Sequence, residues 1–149
     1  MNLFTNKKSD YTVIVGCGHS GSSIANTLFD TGGNVLVIDR DKDSFSKLPL
    51  SYWGVTTLIG DATDINVLHE AQVEKATAIV VATGNDNTNI MIAQIAKEHF
   101  KKEHVIARLY EPERECVYRE FGIDTVSPAL LFVKEICNWL NSTQKEAIV

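Results

Sequence analysis

The segment from Tyr11 to Asp39 limits the possible folds of this chain more than any other. A short run rich in β-branched residues leads into a glycine-rich turn, Gly16 to Gly21, and a helical pattern follows. A second apolar run then ends at Asp39. A strand, a glycine turn, a helix, a strand and an acid in this order are typical of the first βαβ unit of a dinucleotide-binding fold.

The three glycines of this turn have separate physical roles. Gly16 lets the chain turn sharply off the strand, Gly18 leaves room where a phosphate approaches the backbone, and Gly21 lets the helix pack on the strand. The helix N-terminus offers N–H groups and a positive dipole end to an anion, and Asp39 can accept hydrogen bonds from an adenosine ribose. We therefore expect a nucleotide here, with a tight turn that binds nothing as the alternative.

A triphosphate-hydrolysing phosphate loop does not fit this turn. Gly16 and Gly21 have the four-residue spacing of that motif, but Ser22 and Ser23 follow. The motif needs a lysine and then a hydroxyl residue to hold the β- and γ-phosphates and magnesium.

The rest of the chain alternates between strand and helix. Further strands are predicted at 53–59, 78–82, 104–109 and 123–126, with a short helix at 43–47 ended by Pro49, and helices opened by Asp64, by the turn 83–87 and by Pro112. Right-handed crossovers turn this alternation into an α/β fold, a Rossmann-like doubly wound parallel sheet of six strands in the order 3-2-1-4-5-6. The ligand crevice is expected at the carboxyl ends of strands one and four.

Length and composition fit one domain. The chain has 149 residues, which we divide into an N-terminal extension (1–10), the nucleotide-binding domain (11–141) and a polar, frayed tail (142–149). The net charge of −5 argues against nucleic acid and anionic lipid as partners. Three widely spaced cysteines suggest reduced intracellular thiols, and no apolar run approaches the ~20 residues of a membrane span. We expect a soluble cytoplasmic protein.

The last predicted helix, opened by Ser127 and Pro128, has an unusually wide apolar face. This face covers about half of the helix circumference, with Leu131 on the polar side. We expect the helix to pair two copies of the chain, with burial inside the monomer as the alternative. The pairing residues are Ala129, Leu130, Phe132, Val133, Ile136, Trp139 and Leu140.

Several motifs together resemble one family, the N-terminal nucleotide-binding domain of potassium-transport regulators (the regulator-of-potassium-conductance or TrkA N-domain group). The motifs are Val13-Ile14-Val15-Gly16-Cys17-Gly18 with Gly21, Ile38-Asp39-Arg40-Asp41, Gly60-Asp61-Ala62-Thr63-Asp64, Ile79-Val80-Val81-Ala82-Thr83 with Asp86 and Asn89, Ile106-Ala107-Arg108, and Gly122-Ile123-Asp124-Thr125-Val126-Ser127-Pro128. The resemblance covers nearly all of 11–140.

The resemblance implies a role for each part of the crevice. Asp39 would hold the adenosine ribose with Arg40 beside it, Asp61 and Ala62 would flank the adenine, and Arg108 would reach a phosphate. The full set of expected binding residues is Gly16, Cys17, Gly18, His19, Ser20, Gly21, Asp39, Arg40, Asp61, Ala62, Thr83, Gly84 and Arg108. The implied ligand is AMP, ADP, ATP, NAD or NADH, and the implied partner is a membrane potassium transporter beneath which such domains form dimers and rings.

Two features of the chain depart from the family pattern. His19 stands where the family often has an arginine that reaches phosphates, so a smaller adenosine ligand becomes an alternative to a tightly bound dinucleotide. Family members also commonly continue into a C-terminal regulatory domain after the pairing helix.

Other interpretations remain for three of these side chains. Asp61 could simply form an Asx turn, and Arg108 could pair with Glu111 or Glu113. Arg40 could suggest a 2′-phosphate ligand, but Asp39 beside it would repel that group, which favours NAD over NADP.

The main enzymatic alternative is a small NAD-dependent oxidoreductase, which would need a proton donor. The tyrosine-lysine pair of short-chain dehydrogenases is missing, because Tyr11, Tyr52, Tyr110 and Tyr118 are followed four residues later by Val15, Thr56, Arg114 and Gly122. We therefore expect a regulatory, non-catalytic protein. A dimerisation module with a vestigial site is the third hypothesis.

Overall fold

Six parallel strands form one sheet in the order β3-β2-β1-β4-β5-β6 in this computed structural model, which describes residues 10–48 and 55–146. The strands are β1 (Tyr11–Val15), β2 (Asn34–Asp39), β3 (Thr56–Ile59), β4 (Ala78–Val81), β5 (His104–Arg108) and β6 (Asp124–Val126). Every neighbouring pair is parallel. The predicted doubly wound topology is confirmed.

Within residues 10–48 and 55–146, five α-helices connect or follow the strands. They are α1 (His19–Asp30), α2 (Ile65–Glu70), α3 (Asp86–Glu98), α4 (Glu115–Glu120) and α5 (Pro128–Glu146). The expected caps are present, since the side chain of Asp64 accepts from Asn66 N and that of Asn85 from Thr88 N. Gly122 follows α4 with φ +67°, a conformation that glycine adopts without steric cost.

The segment between β2 and β3 differs from its prediction. Lys42–Lys47 forms a 3-10 helix, opened by the Asp41 carboxylate, which accepts from Asp43 N. β3 starts at Thr56, later than the predicted start at 53, and pairs only with β2. The predicted residues 53 and 54 lie outside the described part of the chain, as does Pro49.

The core has two layers because residues of β1 and β4 alternate between the faces of the sheet. Val13, Val15, Ile79 and Val81 pack in a large cluster with residues of α2, α3 and α4. Ile14 packs on the opposite face in a smaller cluster with residues of α1 and the 3-10 helix. Strands with both faces covered in this way are typical of a parallel sheet.

Helix α5 leaves the sheet with its apolar face exposed. It runs to Glu146, into the segment 142–149 that was predicted to be a frayed tail; the hydroxyls of Ser142 and Thr143 donate to the Trp139 carbonyl. Phe132 and Trp139 are 69% and 64% exposed. Leu131, predicted on the polar side, lines an apolar groove over β4 and β5. Among the helices of the described residues, none is long and apolar enough to cross a membrane.

Candidate nucleotide-binding site

A crevice of about 350 Å³ lies at the carboxyl ends of the strands, on either side of the gap between β1 and β4. This is the edge at which doubly wound sheets bind ligands. It is lined by nine of the expected binding residues: Gly16, Gly18, Asp39, Arg40, Asp61, Ala62, Thr83, Gly84 and Arg108. Strand ends that are distant in sequence therefore meet around one cavity.

The glycine-rich turn has the geometry that its sequence predicts. Gly16 has φ +99°, and its N–H donates to the carbonyl of Ile38 at 2.8 Å. A Cβ on Gly21 would overlap the carbonyl oxygen of Gly16, which shows how closely α1 packs on the turn. A Cβ on Gly18 would meet no protein atom within 4 Å. Of these two glycines, Gly21 is therefore required by packing, whereas Gly18 borders open space in the crevice.

Asp39 connects β2 to the glycine-rich turn. One oxygen of its half-buried carboxylate accepts from the Cys17 N–H at 2.7 Å, and the other accepts from the Asp41 N–H at 2.8 Å. An ionised carboxylate can accept about four hydrogen bonds. Asp39 therefore retains acceptor capacity on the side that faces the crevice.

Four expected binding residues do not line the crevice: Cys17, His19, Ser20 and Gly21. The Cys17 side chain is fully buried in the core below α1, where burial, and then the nearby Asp39 charge, raise the pKa of its thiol. His19 is exposed to solvent. Ser20 contacts Arg108, and Gly21 packs on Gly16. The Cys17 side chain is therefore turned away from the crevice, whereas the Ser20 hydroxyl touches it only through Arg108.

Asp61 forms the Asx turn that was one of its two expected roles, and it also lines the crevice. Its Oδ1 accepts from the Thr63 hydroxyl at 2.7 Å and from the Thr63 N–H at 2.9 Å. These bonds, and to a smaller extent the positive charge of Arg40, hold the pKa of the Asp61 carboxyl below its ordinary value. The crevice thus has an ionised, oriented carboxylate at the β3 end.

Arg108 provides a positive charge on the side of the crevice opposite to Asp61. Its Nη1 donates to Ser20 Oγ at 3.0 Å, its Nη2 donates to the Thr83 carbonyl at 2.9 Å, and its guanidinium lies 4.6 Å from the centre of the Tyr110 ring. Its Nε is buried and without a hydrogen-bond partner among the described residues. The ion pairs found within 10–48 and 55–146 do not include Arg108, so pairing with Glu111 or Glu113 is not observed.

Other residues of the crevice were not predicted. Val15, Ile38, Ser44, Gly60, Ala82, Thr88 and Ile92 complete its lining. Asn89 lies behind the lining, fully buried, and bonds both the Thr83 turn and the Arg108 backbone. Asn89 is part of a family motif in the sequence but was assigned no role there; a second signal is that Asn89 is a polar residue on the stripe of α3 that buries Ile92, Ala93 and Ala96.

The glycine-rich turn and the two acidic residues of the crevice, Asp39 and Asp61, lie inside the part of the chain that matches a known family. The family described as the TrkA-N domain matches residues 12–128. The match therefore extends from β1 to the start of α5.

Two potassium uptake proteins are similar to this chain in sequence. The Trk system potassium uptake protein TrkA of Streptomyces coelicolor is 43% identical over 117 residues, which is 78% of this chain and 52% of the relative. The Trk system potassium uptake protein TrkA homolog of Methanothermobacter thermautotrophicus is 32% identical over 116 residues, which is 78% of this chain and 53% of the homolog. The chain thus spans about half the length of these relatives.

A solved channel structure shares the fold. The GsuK channel bound to NAD is 26% identical, with a TM-score of 0.76 over 91% of this chain and 24% of the channel chain. The six-stranded sheet, the crevice at its carboxyl edge and the match over residues 12–128 lead to one conclusion. This chain belongs to the TrkA-N domain family.

Proposed function

We propose that this chain binds an adenine nucleotide (AMP, ADP, ATP, NAD or NADH) without turnover and regulates a potassium uptake system through it. One observation carries the proposal: an oriented carboxylate, Asp39 at the end of β2, and a guanidinium without an ion-pair partner among the described residues, Arg108 at the end of β5, lie at opposite sides of one crevice. The ribose hydroxyls of a nucleotide can donate hydrogen bonds to the Asp39 carboxylate, and its phosphates can accept them from the Arg108 guanidinium.

The ribose is assigned to Asp39. The remaining acceptor capacity of its carboxylate suits the two ribose hydroxyls, which are donors. Arg40 lines the same end of the crevice, but the carboxylate disfavours a 2′-phosphate, so NAD fits better than NADP.

The phosphates are assigned to the start of α1 and to Arg108. No side chain caps the N-terminus of α1 at Gly18, so this end of a twelve-residue helix is open to an anion. Arg108 adds a permanent, forked cation that lacks a carboxylate partner among the described residues. A phosphate there would compensate a charge that the protein leaves unpaired.

The adenine is assigned to the β3 end, against Asp61 and Ala62. Ala62 is buried and offers an apolar surface, and Asp61 is an ionised acceptor fixed by Thr63. An exocyclic amine can donate to such a carboxylate.

The regulatory role is supported by the names of similar proteins. Both curated relatives are potassium uptake proteins, and GsuK is a channel whose structure was solved with NAD. A potassium transporter at the membrane is therefore the proposed partner, with this domain on the cytoplasmic side.

Self-association through α5 completes the proposal. Leu130, Phe132, Val133, Ile136, Trp139 and Leu140 are each 44% to 69% exposed, so the chain alone leaves a long apolar surface in water. A second copy of the same helix can cover this surface symmetrically.

Calorimetric titration of the 149-residue chain with AMP, ADP, ATP, NAD and NADH tests the binding. We expect at least one to bind with a Kd below about 1 mM, and to be recovered chemically intact after incubation. Absence of binding by all five would indicate the vestigial-site module, whereas conversion of the nucleotide would indicate an enzyme. Potassium uptake by cells with and without the chain then tests the regulatory role.

A further inference from the structure

We propose that Asn89 is a positioning residue that aims the Arg108 guanidinium at the phosphates of the bound nucleotide. The inference rests on the proposed function and deepens it. Asn89 does not line the crevice, so it acts through Thr83 and Arg108 and not by touching the ligand.

Asn89 uses its complete hydrogen-bonding capacity on these two residues. Its Oδ1 accepts from the N–H of Thr83 at 3.1 Å and from the Thr83 hydroxyl. Its Nδ2 donates to the Thr83 carbonyl at 3.2 Å and to the Arg108 carbonyl at 3.0 Å. A neutral amide has two donor hydrogens and two acceptor positions, and all four are occupied.

These bonds constrain Arg108 in two ways, through its own backbone and through the Thr83 carbonyl that its side chain contacts. The backbone of Arg108 is held through its carbonyl, and the Thr83 carbonyl that Asn89 orients is also the acceptor of Arg108 Nη2 at 2.9 Å. Ser20 accepts from Nη1 on the side of the glycine-rich turn. The guanidinium is thereby held between β4 and α1, beside the expected phosphate position.

Packing alone does not account for an amide at this position. Ile92, Ala93 and Ala96 cover the same buried stripe of α3 with apolar side chains. A buried amide is costly unless its hydrogen bonds are made, and here they are made to the two strand ends that border the crevice. The arrangement pre-orders a cation that would otherwise lose side-chain freedom on binding.

The location of Asn89 predicts a selective effect. The residues assigned to ribose and adenine, Asp39 and Asp61, follow β2 and β3 on the far side of β1. Loss of the Asn89 amide should therefore weaken the contribution of the phosphates while leaving the adenosine part nearly unchanged.

The experiment compares adenosine, AMP and ADP as calorimetric ligands of the wild type and the Asn89→Ser variant. The advantage of ADP over adenosine, taken as the ratio of their Kd values, should fall about fivefold to tenfold, as expected for a displaced charged hydrogen bond. The Kd of adenosine should change by less than about twofold, as for distant sites. Asn87→Ser is the matched control, since Asn87 lies exposed on the same helix and contacts Arg114 outside the crevice.

A double-mutant cycle with Arg108→Ala tests whether the effect passes through Arg108. In that background Asn89→Ser should remove nothing further from the ADP advantage. If Asn89→Ser does not fold, Thr83→Val enters the same cycle, because it deletes one donor to Asn89 Oδ1. Thr83→Val should likewise lower the ratio of the adenosine Kd to the ADP Kd in the wild-type background and leave it unchanged in the Arg108→Ala background.

Two kinds of failure can be distinguished. A wild type that binds none of these three ligands, and none of ATP, NAD and NADH, overturns the proposed function. A wild type that binds ADP no more tightly than adenosine overturns the phosphate contact of Arg108 and with it the positioning role. A wild type that prefers ADP, with an Asn89→Ser variant that loses adenosine and ADP equally or loses neither, overturns only the positioning role. Losses that persist in the Arg108→Ala background overturn it as well.

Discussion

The carboxylate of Asp39 accepts a hydrogen bond of 2.7 Å from the backbone N–H of Cys17, which ties the end of β2 to the turn that follows β1. The same side chain lines the crevice. One residue thus orders the glycine-rich turn and presents an acceptor to a ligand.

Replacing Asp39 should weaken the binding of a ribonucleotide more than the binding of its 2′-deoxy analogue. We expect Asp39→Ala to weaken ADP binding by about 1 to 3 kcal/mol, the usual cost of leaving polar partners unpaired. The variant should also lose the preference of the wild type for ADP over 2′-deoxy-ADP in calorimetry. Asp41→Ala is the control, because the Asp41 carboxylate caps the 3-10 helix and does not line the crevice. Unchanged ADP affinity in Asp39→Ala would contradict the ribose assignment.

Two glycine substitutions in one turn should have opposite consequences. Gly21→Ala places a methyl group against the Gly16 carbonyl and should lower the free energy of unfolding by at least about 1 to 3 kcal/mol, as overpacking does. Gly18→Ala meets no protein atom, and its φ of −73° suits alanine, so the unfolding free energy should stay near that of the wild type.

Gly18→Ala should nevertheless weaken ADP, since the methyl group enters the crevice. Urea unfolding and calorimetry on both variants give the comparison. A Gly18→Ala protein with full ADP affinity would show that no phosphate approaches the backbone there.

Arg108 should be sensitive to loss of its forked shape as well as its charge. Arg108→Ala removes the unpaired cation and should cost ADP binding about 1.5 to 3 kcal/mol, the range for hydrogen bonds to charged groups. Arg108→Lys keeps the charge but not the fork, so it should recover only part of this loss. Arg114→Lys serves as the control because Arg114 contacts Asn87 and Glu111 outside the crevice. Equal ADP affinity in all three variants would remove Arg108 from the phosphate site.

The Thr63 hydroxyl should set the acidity of Asp61. Its hydrogen bond is the largest cause of the lowered pKa of the Asp61 carboxyl. Thr63→Val should therefore raise that pKa toward its ordinary value in an NMR titration, whereas Thr57→Val on β3 should not.

The sign of the pH dependence follows from the direction of this shift. A carboxyl whose pKa is lower in the folded state stabilises the fold at pH values above its unfolded pKa, about 4 for Asp, and the effect is lost as the pH falls through the folded value. Wild type and Thr63→Val should differ in stability at neutral pH and converge in acid. A wild-type Asp61 that titrates at the ordinary Asp value would contradict the proposed effect of Thr63.

Helix α5 should control the oligomeric state. Phe132 is 69% exposed in the single chain, so Phe132→Asp should leave the fold intact by circular dichroism and shift the chain toward monomer in sedimentation equilibrium. Lys134→Asp introduces the same side chain between two residues of the apolar face, Val133 and Ile136, and should be tolerated better. A wild type that is monomeric at high concentration would contradict pairing through α5.

The strand order could be predicted from sequence because strand and helix periods alternate with clear stops. The run 11–15 is confirmed as β1, and the other strands shift by a residue or more at their ends, where hydrogen bonding to a neighbour decides the boundary. Helix α5 continues through Ser142 and Thr143 into the predicted tail, which was not anticipated because both residues have low helix propensity.

The crevice was predictable at strand ends but not within the turn. Asp39 and Arg108 are the last residues of β2 and β5, and Asp61 lies two residues after β3, so the topology alone brings them to one edge. Which residues of the turn face inward depends on backbone torsions, and these send the Cys17 side chain to the core. The contact between Arg108 and Ser20 joins residues 88 positions apart, which no local pattern encodes.

The crevice is assembled from the carboxyl ends of five strands, the start of α1, and residues of α3 and of the 3-10 helix. A molecule that contacts several of these strand ends at once would stabilise them together against local unfolding. Occupancy would then reduce the local motion of the carboxyl ends of β1 to β5 together, without any displacement of the backbone.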